Sequence, residues 1–384
     1  QRPEDAIDDF EHDLSVLRLL MRSEKDVKGH AHYMLRLNDC VRRSASERWA
    51  RARQPWSSYD GLVRVTEATR PFLQSQRLTA RPYSVSALQN YAYCPYRFLM
   101  SAMYRFEALE EPEPLERMDP LTKGRLFHEV LAEFFRALQQ RQMAMPTAPM
   151  DALLEILDAT LTRVAANYAE LLAPAVDRVW QDEIASIRTD LHIWARDLAQ
   201  SSGWEPWLFE LGFGLPDAPG RDPNSRREPV EIDGRFILRG AIDLIERKPG
   251  TNFLKITDHK TGKNRSERGS IIGHGQQLQP VIYSLAVEAA TGLTVESARF
   301  SYCTTTGGFS EHSVAINERT RRMGIEALEI IDRAVELGML PPAPAEKACA
   351  YCDFLPVCGP NQERRSRRKS RKEIADLIEL RGRQ

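Results

Sequence analysis

The stretch "NFLKITDHKTG" (residues 252–262) carries a carboxylate, Asp258, and an amine, Lys260, two residues apart. On a β-strand, residues i and i+2 share a face. Leu254, Ile256, Asp258 and Lys260 therefore form one row whose apolar part ends in a charged pair at the strand tip. The preceding stretch, "GRFILRGAIDLIER" (234–247), is apolar on both faces, as suits a strand covered on both sides, and Asp243 interrupts it. A buried carboxylate is costly unless it is paired or binds a metal. "KPGTN" between the two stretches suits a hairpin turn, and if the strands pair, Asp243 and Asp258 can converge on one divalent cation. Such a set suits phosphodiester hydrolysis. Two carboxylates hold Mg²⁺ or Mn²⁺ through oxygen, and the metal polarises the phosphate and acidifies a bound water. Lys260 would orient or activate that water and offset charge developing in the transition state. The same residues also read as a strand-end ion pair with Asp243 in a turn or cap, because D-x-K is a common triplet.

Three further polar residues are candidates for the same chemistry. His128 lies in "LTKGRLFHEVLAEFFRAL" (121–138), whose apolar stripe is Phe127, Val130, Leu131, Phe134, Phe135 and Leu138. At 100° per residue it falls at the edge of that stripe, beside Leu131 and Phe135. There it is either a satisfied boundary histidine or a third metal ligand. Gln279 and Tyr283, in "QLQPVIYSLAVEAA" (277–290), are spaced i, i+4 and share one helix face. They read as a polar helix edge or as hydrogen-bonding groups aimed at a phosphate or at the attacking water.

A second metal chemistry is suggested near the end of the chain, where "CAYCDFLPVC" places Cys349, Cys352 and Cys358 at C-x2-C-x5-C spacing. A metal site usually needs four protein ligands, and this run supplies three. Six cysteines in 384 residues make no secreted disulfide scaffold, so the cluster reads as metal ligands in a reducing compartment. Cys40 and Cys303 lack partners at ligand spacing and read as buried thiols.

The elements that must position these residues change character along the chain. Residues 1–80 read as helical, with Phe10, Leu14, Leu17 and Met21 at helical spacing and a second helix over about 30–53. "WSSYDGLV" (56–63) has turn chemistry. "YSVSALQNYAYCPYRFLM" (83–100) predicts a helix capped by Ser84 or Ser86, with Gln89 completing a capping box. A Pro- and acid-rich connector (110–120) precedes the helix that carries His128, and helices fill about 150–200 with a break near Pro174. Residues 215–229 read as a surface loop. Strands then follow, with the helix at 277–290, a strand at 295–304 and a helix near 317–338. The segment "RRSRRKSRK" (364–372) has seven basic residues in nine; it reads as a solvated end or as a holder of phosphate backbone. Arg97 and Arg105, among Tyr96, Phe98, Tyr104 and Phe106, line a nucleic-acid path or form a shell around Cys94. The net charge is −1, so any nucleic-acid contact must come from local patches. No apolar run approaches a membrane span of roughly 20 residues, and no signal-peptide pattern opens the chain. The chain begins at Gln1 and is expected to be a piece of a longer polypeptide.

Taken in order, these pieces resemble the RecB/AddB type of the PD-(D/E)XK nuclease superfamily. The matching residues are "YSVSALQNYAYCPYRF" with Cys94, "GRLFHEVL" with His128, "GAIDLIE" with Asp243, "DHKTGK" with Asp258 and Lys260, "QPVIY" with Gln279 and Tyr283, and "CAYCDFLPVC". The resemblance implies an α/β fold with a restriction-endonuclease-like core, a mixed central sheet flanked by helices, plus helical insertions and an N-terminal helical region. It implies that residues 1–80 end a helicase-like region, 81–360 form the nuclease domain, and 361–384 form a basic tail. His128, Asp243 and Asp258 would bind the catalytic metal, Lys260 would be the catalytic lysine, and Gln279 and Tyr283 would support the site near the DNA. Members often carry an arginine directly after the first aspartate and a further aspartate two residues beyond it, where this chain has Leu244 and Glu246. An aromatic commonly fills the middle of D-x-K, where this chain has His259.

The resemblance also supplies a fourth thiolate. Cys94 would join Cys349, Cys352 and Cys358 around a 4Fe-4S cluster that staples the start of the nuclease domain to its end; four sulfurs would equally suit zinc. The implied activity is that of a Mg²⁺-dependent DNA exonuclease acting at ends, 5′-to-3′. It would take single strand emerging from a helicase, with an AddA-like partner, in cytoplasmic double-strand break repair and recombination. A non-cleaving DNA-binding or scaffolding module with the same fold is the alternative, and a zinc-stapled structural protein a third.

Overall fold

The computed structural model describes residues 2–22, 32, 35, 36, 38–107, 116–145, 147–200 and 203–384. The expected connector at 110–120 lies mostly outside the described residues, as does the start of the helix expected from about residue 30. The N-terminal part holds helices α1 (Asp9–Arg22), α2 (Asp39–Ala52) and α3 (Arg70–Ser75). Next come α4 (Val85–Tyr93) and α5 (Pro95–Phe98), then the long helices α6 (Pro120–Gln140), α7 (Met150–Leu172) and α8 (Asp177–Gln200). Strand β1 (Glu205–Phe213), the short β2 (Val230–Ile232) and β3 (Phe236–Leu238), β4 (Gly240–Arg247) and β5 (Phe253–Lys260) follow. Then come α9 (Gln279–Thr291), β6 (Thr294–Tyr302), β7 (Glu311–Ala315), α10 (Glu318–Glu336), α11 (Leu355–Cys358), α12 (Gln362–Ser366) and α13 (Ala375–Gly382).

A five-stranded sheet in the order β1-β4-β5-β6-β7 forms the centre. β5 and β6 are parallel and the other pairs antiparallel, so α9 is the crossover that a parallel pair requires. Each face of the sheet has its own apolar cluster. On one, α9, α10, α3 and α4 pack against Ile242, Ile245, Leu254 and Ile256. On the other, α6, α7 and α8 pack against Phe209 and Leu244. The result is the mixed α/β fold with a sheet between helical layers that the sequence implied. No described helix is long and apolar enough to cross a membrane.

Local chemistry explains where several elements begin. Asp119 caps α6 by accepting from Leu121 N and Thr122 N, with Pro120 in the first turn, where its missing N–H costs nothing. Ser84 caps α4 by accepting from Ala87 N. Gln89 does not complete a capping box; its Oε1 accepts from Leu278 N at 2.9 Å and anchors the start of α9. The strand expected over 234–247 is broken. β3 pairs with β2 in a separate ribbon, Arg239 N turns to Tyr83 O, and β4 begins at Gly240. The basic segment 364–372 is not uniformly solvated. Lys369 is buried and pairs with Asp60 at 2.7 Å, while Ser370 N donates to Gln54 O and Trp56 Nε1 to Ser370 O.

Candidate active site

The site opens where two central strands part. β4 and β5 pair from Arg247↔Leu254 to Leu244↔Thr257. One step further the ladder stops, and His259 N donates to the Asp243 side chain at 2.7 Å. β5 meanwhile continues along β6 as far as Lys260↔Tyr302. The fork leaves Asp243 on one tine, and Asp258 and Lys260 on the other.

A second irregularity brings in a residue that sequence reasoning missed. Along β1, Phe209 faces the α6–α8 cluster while Leu208 and Leu211 both face the other. Along β4, Leu244 faces α6–α8 while Ile242 and Ile245 both face the other. Strict alternation therefore slips at Glu210 and at Asp243, between the pairs Phe209↔Leu244 and Leu211↔Ile242, and β1 carries a further register shift between Pro206 and Leu208. Glu210 takes a left-handed backbone with φ 53°, which costs a non-glycine residue about 1–3 kcal/mol. The outcome is that Glu210 and Asp243 both meet His128 of α6, with ligand atoms of all three within 4.8 Å of one another. Among the described residues this is the only group of histidine, cysteine and acidic side chains so placed. Asp258, expected as the third ligand beside His128 and Asp243, stands outside this set. The signal for Glu210 was present in "LFELGF" (208–213), an apolar run with one carboxylate, the pattern that singled out Asp243.

The electrostatics are those of a crowded, half-buried site. Burial opposes the charge on His128, but Asp243, with its Oδ2 3.3 Å from Nδ1, outweighs it and lifts the imidazole to about 9. Burial likewise opposes charge on Asp243, and His128 and His259 overcome it, holding the carboxyl at about 2. Burial and then Asp243 push Glu210 up to about 7. Burial also raises Asp258, against the pull of Lys260. Asp258 Oδ2 lies 2.5 Å from Lys260 Nζ, a close ion pair at the strand tip. A buried carboxylate is costly unless paired, and Lys260 supplies that pair. Lys260 Nζ donates to Gln279 Oε1 at 3.0 Å. Tyr283 is buried beside Gln279, and burial drives its hydroxyl well above its ordinary value.

The departures from the family pattern have visible consequences. His259 is buried and packs edge-on against Trp194 at 6.0 Å and His128 at 6.3 Å. Burial lowers its pKa to about 3, so it fills its place as a neutral aromatic ring. Leu244 is buried among apolar side chains. Glu246 is committed elsewhere, in a buried network with Lys255 at 2.9 Å, Arg299 at 3.2 Å and Thr257 at 2.7 Å. His128, Glu210 and Asp243 line a cleft of about 800 Å³ between α6 and the loop 214–229.

Far along the chain but adjacent in space, Cys94, Cys349, Cys352 and Cys358 line one small cavity. Burial raises the Cys94 thiol to about 12 and the Cys349 thiol to about 11, and neighbouring cysteines add to both shifts. Arg51 and Arg365 both donate to Cys358 O, at 2.8 and 2.6 Å. Cys303 is buried elsewhere; Cys40, read as a buried thiol, is exposed.

Comparison with known proteins agrees with this geometry. The chain is 26% identical over 235 residues to an ATP-dependent helicase/deoxyribonuclease subunit of Carboxydothermus hydrogenoformans, covering 59% of this chain and 20% of that protein. It is 24% identical over 220 residues to the protein of the same name from Lachnoclostridium phytofermentans, 53% of this chain and 16% of that one. It is 28% identical over 152 residues to a CRISPR-associated exonuclease Cas4/endonuclease Cas1 fusion of Leptospira interrogans, 38% of this chain and 27% of that one. The matches thus span about a quarter or less of each relative's length. The profile of the PD-(D/E)XK nuclease superfamily matches residues 82–359, which hold the fork, the cleft and all four cavity cysteines, and the chain belongs to that superfamily.

Proposed function

We propose that this chain hydrolyses DNA phosphodiesters at DNA ends with Mg²⁺ or Mn²⁺, as the nuclease part of a helicase–nuclease. The observation that carries the reading is the convergence of His128, Glu210 and Asp243 at a strand fork whose other tine presents Asp258 and Lys260. When bound, the metal would supply Lewis acidity toward a phosphate oxygen and an acidified water. The donor set fits: oxygen and imidazole ligands suit such ions, and the ligand atoms of His128, Glu210 and Asp243 converge within 4.8 Å of one another. His128 and Glu210 both hold protons more tightly than usual, and ligation would release them. Lys260, kept cationic by Asp258 despite burial and oriented by Gln279, stabilises negative charge developing on the phosphate. Gln279 fixes the position of that amine and is itself backed by the buried Tyr283.

For the cysteine cavity the reading is a 4Fe-4S cluster. Four thiolates are the usual ligation of such a cluster, and Cys94, Cys349, Cys352 and Cys358 line one cavity; the same four sulfurs would also suit tetrahedral zinc. Arg51 and Arg365 place positive charge beside Cys358, which suits a thiolate-bound cluster. Residues 81–360 would be the nuclease domain, 1–80 the end of a helicase-like region, and 361–384 a basic segment docked on both. The names of the helicase/deoxyribonuclease relatives support a DNA substrate and a helicase–nuclease setting with an AddA-like partner; the cytoplasmic role in break repair and recombination and the 5′-to-3′ polarity belong to this proposal on the sequence resemblance alone.

The test is direct. Linear duplex and single-stranded DNA with Mg²⁺ should be degraded by the native protein, and Asp243→Ala or Lys260→Ala should lower the rate by at least about a hundredfold, as loss of one charge-stabilising group does. Cleavage that persists unchanged in both variants, or in the presence of a chelator, would overturn this reading.

A further inference from the structure

The loop between β1 and β2 does more than connect them. It lies along the open edge of β1: Phe209 N donates to Asp222 Oδ2 at 3.0 Å, Asp222 N to Glu210 O at 3.2 Å, Gly212 N to Ser225 Oγ at 2.9 Å and Arg226 N to Gly212 O at 3.0 Å. These bonds take up ladder groups that an edge strand otherwise leaves open. They also hold Arg221 beside Glu210, on the wall of the cleft that contains His128 and Asp243. Arg136 of α6 donates to Gly220 O and ties the same loop across the cleft.

Arg221 is at odds with a purely structural role. Its Nε and Nη1 are buried and have no hydrogen-bond partner, and no carboxylate among the described residues pairs with it within 4.0 Å. Uncommitted guanidinium donors are expensive, because the desolvation of a charged group is left without return. The side chain rests across Gly212, where a Cβ would stand 2.9 Å from Arg221 Cδ and 3.3 Å from Nη1. Glycine at this position therefore leaves a berth from which the guanidinium can turn toward the cleft. Of the arginines on the cleft wall, Arg136 already spends a donor on Gly220 O, whereas Arg221 keeps two buried donors free for a phosphate beside the two carboxylates and the histidine.

We propose that Arg221 is a phosphate anchor for a DNA single strand threaded through this cleft. It would bind a non-bridging oxygen pair with two parallel N–H bonds, the geometry that a guanidinium favours. A single strand is the fitting form. The ligand atoms lie between a helix and a loop, and a duplex with a persistence length of roughly 50 nm does not bend into such a recess. This role rests on the nuclease reading of the site and adds the substrate contact that the strands themselves do not provide.

Binding of a labelled oligothymidylate in Ca²⁺, measured across a salt series, tests it. For single strands each phosphate contact contributes about 0.7 to the slope of log K against log salt. Arg221→Met should flatten the slope by about that amount and weaken binding about tenfold. Arg221→Lys, which keeps the charge and loses the fork, should retain the slope and recover part of the affinity. Native slope and affinity in Arg221→Met, even with a lowered melting temperature, would mean that Arg221 only balances Glu210 and would overturn the proposal. Should that variant fail to fold, Gly212→Ala decides, since its methyl displaces the Arg221 side chain: weakened binding supports the anchor and native binding overturns it. A native protein that binds no oligonucleotide would overturn the nuclease reading itself, an outcome separate from failure of Arg221 alone.

Discussion

At the scale of single residues, the site is built against local preference. Glu210 occupies a left-handed conformation inside a strand and lies within reach of another carboxylate. Backbone strain and like charge are both tolerated where surrounding structure enforces them, and that combination is characteristic of functional sites. Asparagine accepts the left-handed region more readily than glutamate and carries no charge. Glu210→Asn is therefore expected to stabilise the metal-free protein by about 1 kcal/mol, seen as a higher melting temperature in chelator. The same variant should bind Mn²⁺ at least about tenfold more weakly in calorimetric titration. Unchanged Mn²⁺ affinity would remove Glu210 from the metal centre. His259 makes the complementary point. Its chemistry is that of a titratable group, but burial keeps it neutral, and it serves as a ring packed on Trp194.

At the scale of elements, α6 carries His128 and its start is set by Asp119, which accepts two amide hydrogens of the first turn. Its hydrogen bonds to Thr122 and that turn hold the Asp119 carboxyl below the usual carboxylate range. A depressed folded-state pKa contributes stability above the unfolded value of about 3.9, lost as pH falls through the folded one. Asp119→Ala should thus cost about 1 kcal/mol near neutral pH, and the difference between the variant and the native protein should vanish in acid. Melts at a series of pH values check this; a cost that persists unchanged below the folded pKa would show that the carboxylate charge is not what caps the helix. The connector expected over 110–120 includes Asp119 and Pro120, so the cap went unread although Asp-Pro before an apolar run is a local signal; the helix itself was legible from its period. β1 was not, because its register shift between Pro206 and Leu208 and its slip at Glu210 break the period-two pattern by which strands are read.

At the scale of the whole molecule, residues far apart in sequence close one joint. Cys94 comes from the turn between α4 and α5, three cysteines come from the segment around α11, and Arg51 reaches in from α2. Lys369 and Asp60 seal the same side, with side chains only 2% and 5% exposed. Removing one partner of such a pair strands the other charge and costs about 3–5 kcal/mol. Lys369→Met should therefore loosen the C-terminal segment, read as faster limited proteolysis around residues 361–384, whereas native resistance would show that the pair does not hold it. For the cysteines, replacing any of Cys94, Cys349, Cys352 or Cys358 with serine should lower the melting temperature and abolish absorbance near roughly 400 nm. Anaerobically prepared protein that carries zinc and no iron would overturn the cluster assignment.

The sequence alone determined the chemistry available and most of the elements that carry it. Asp258 and Lys260 share a strand face because side chains alternate, His128 sits at the edge of an apolar stripe because helices turn every 3.6 residues, and both rules operate within a few residues. Tertiary structure decided which of those groups meet. It parted β4 from β5 at Asp243, slipped β1 so that Glu210 joined His128, turned Gln89 from a cap into an anchor for α9, and buried Lys369 within a run of surface charge. Each of these depends on a neighbour tens to hundreds of residues away. No local period encodes such a contact, because its free energy comes from packing and charge compensation that exist only once the layers have closed.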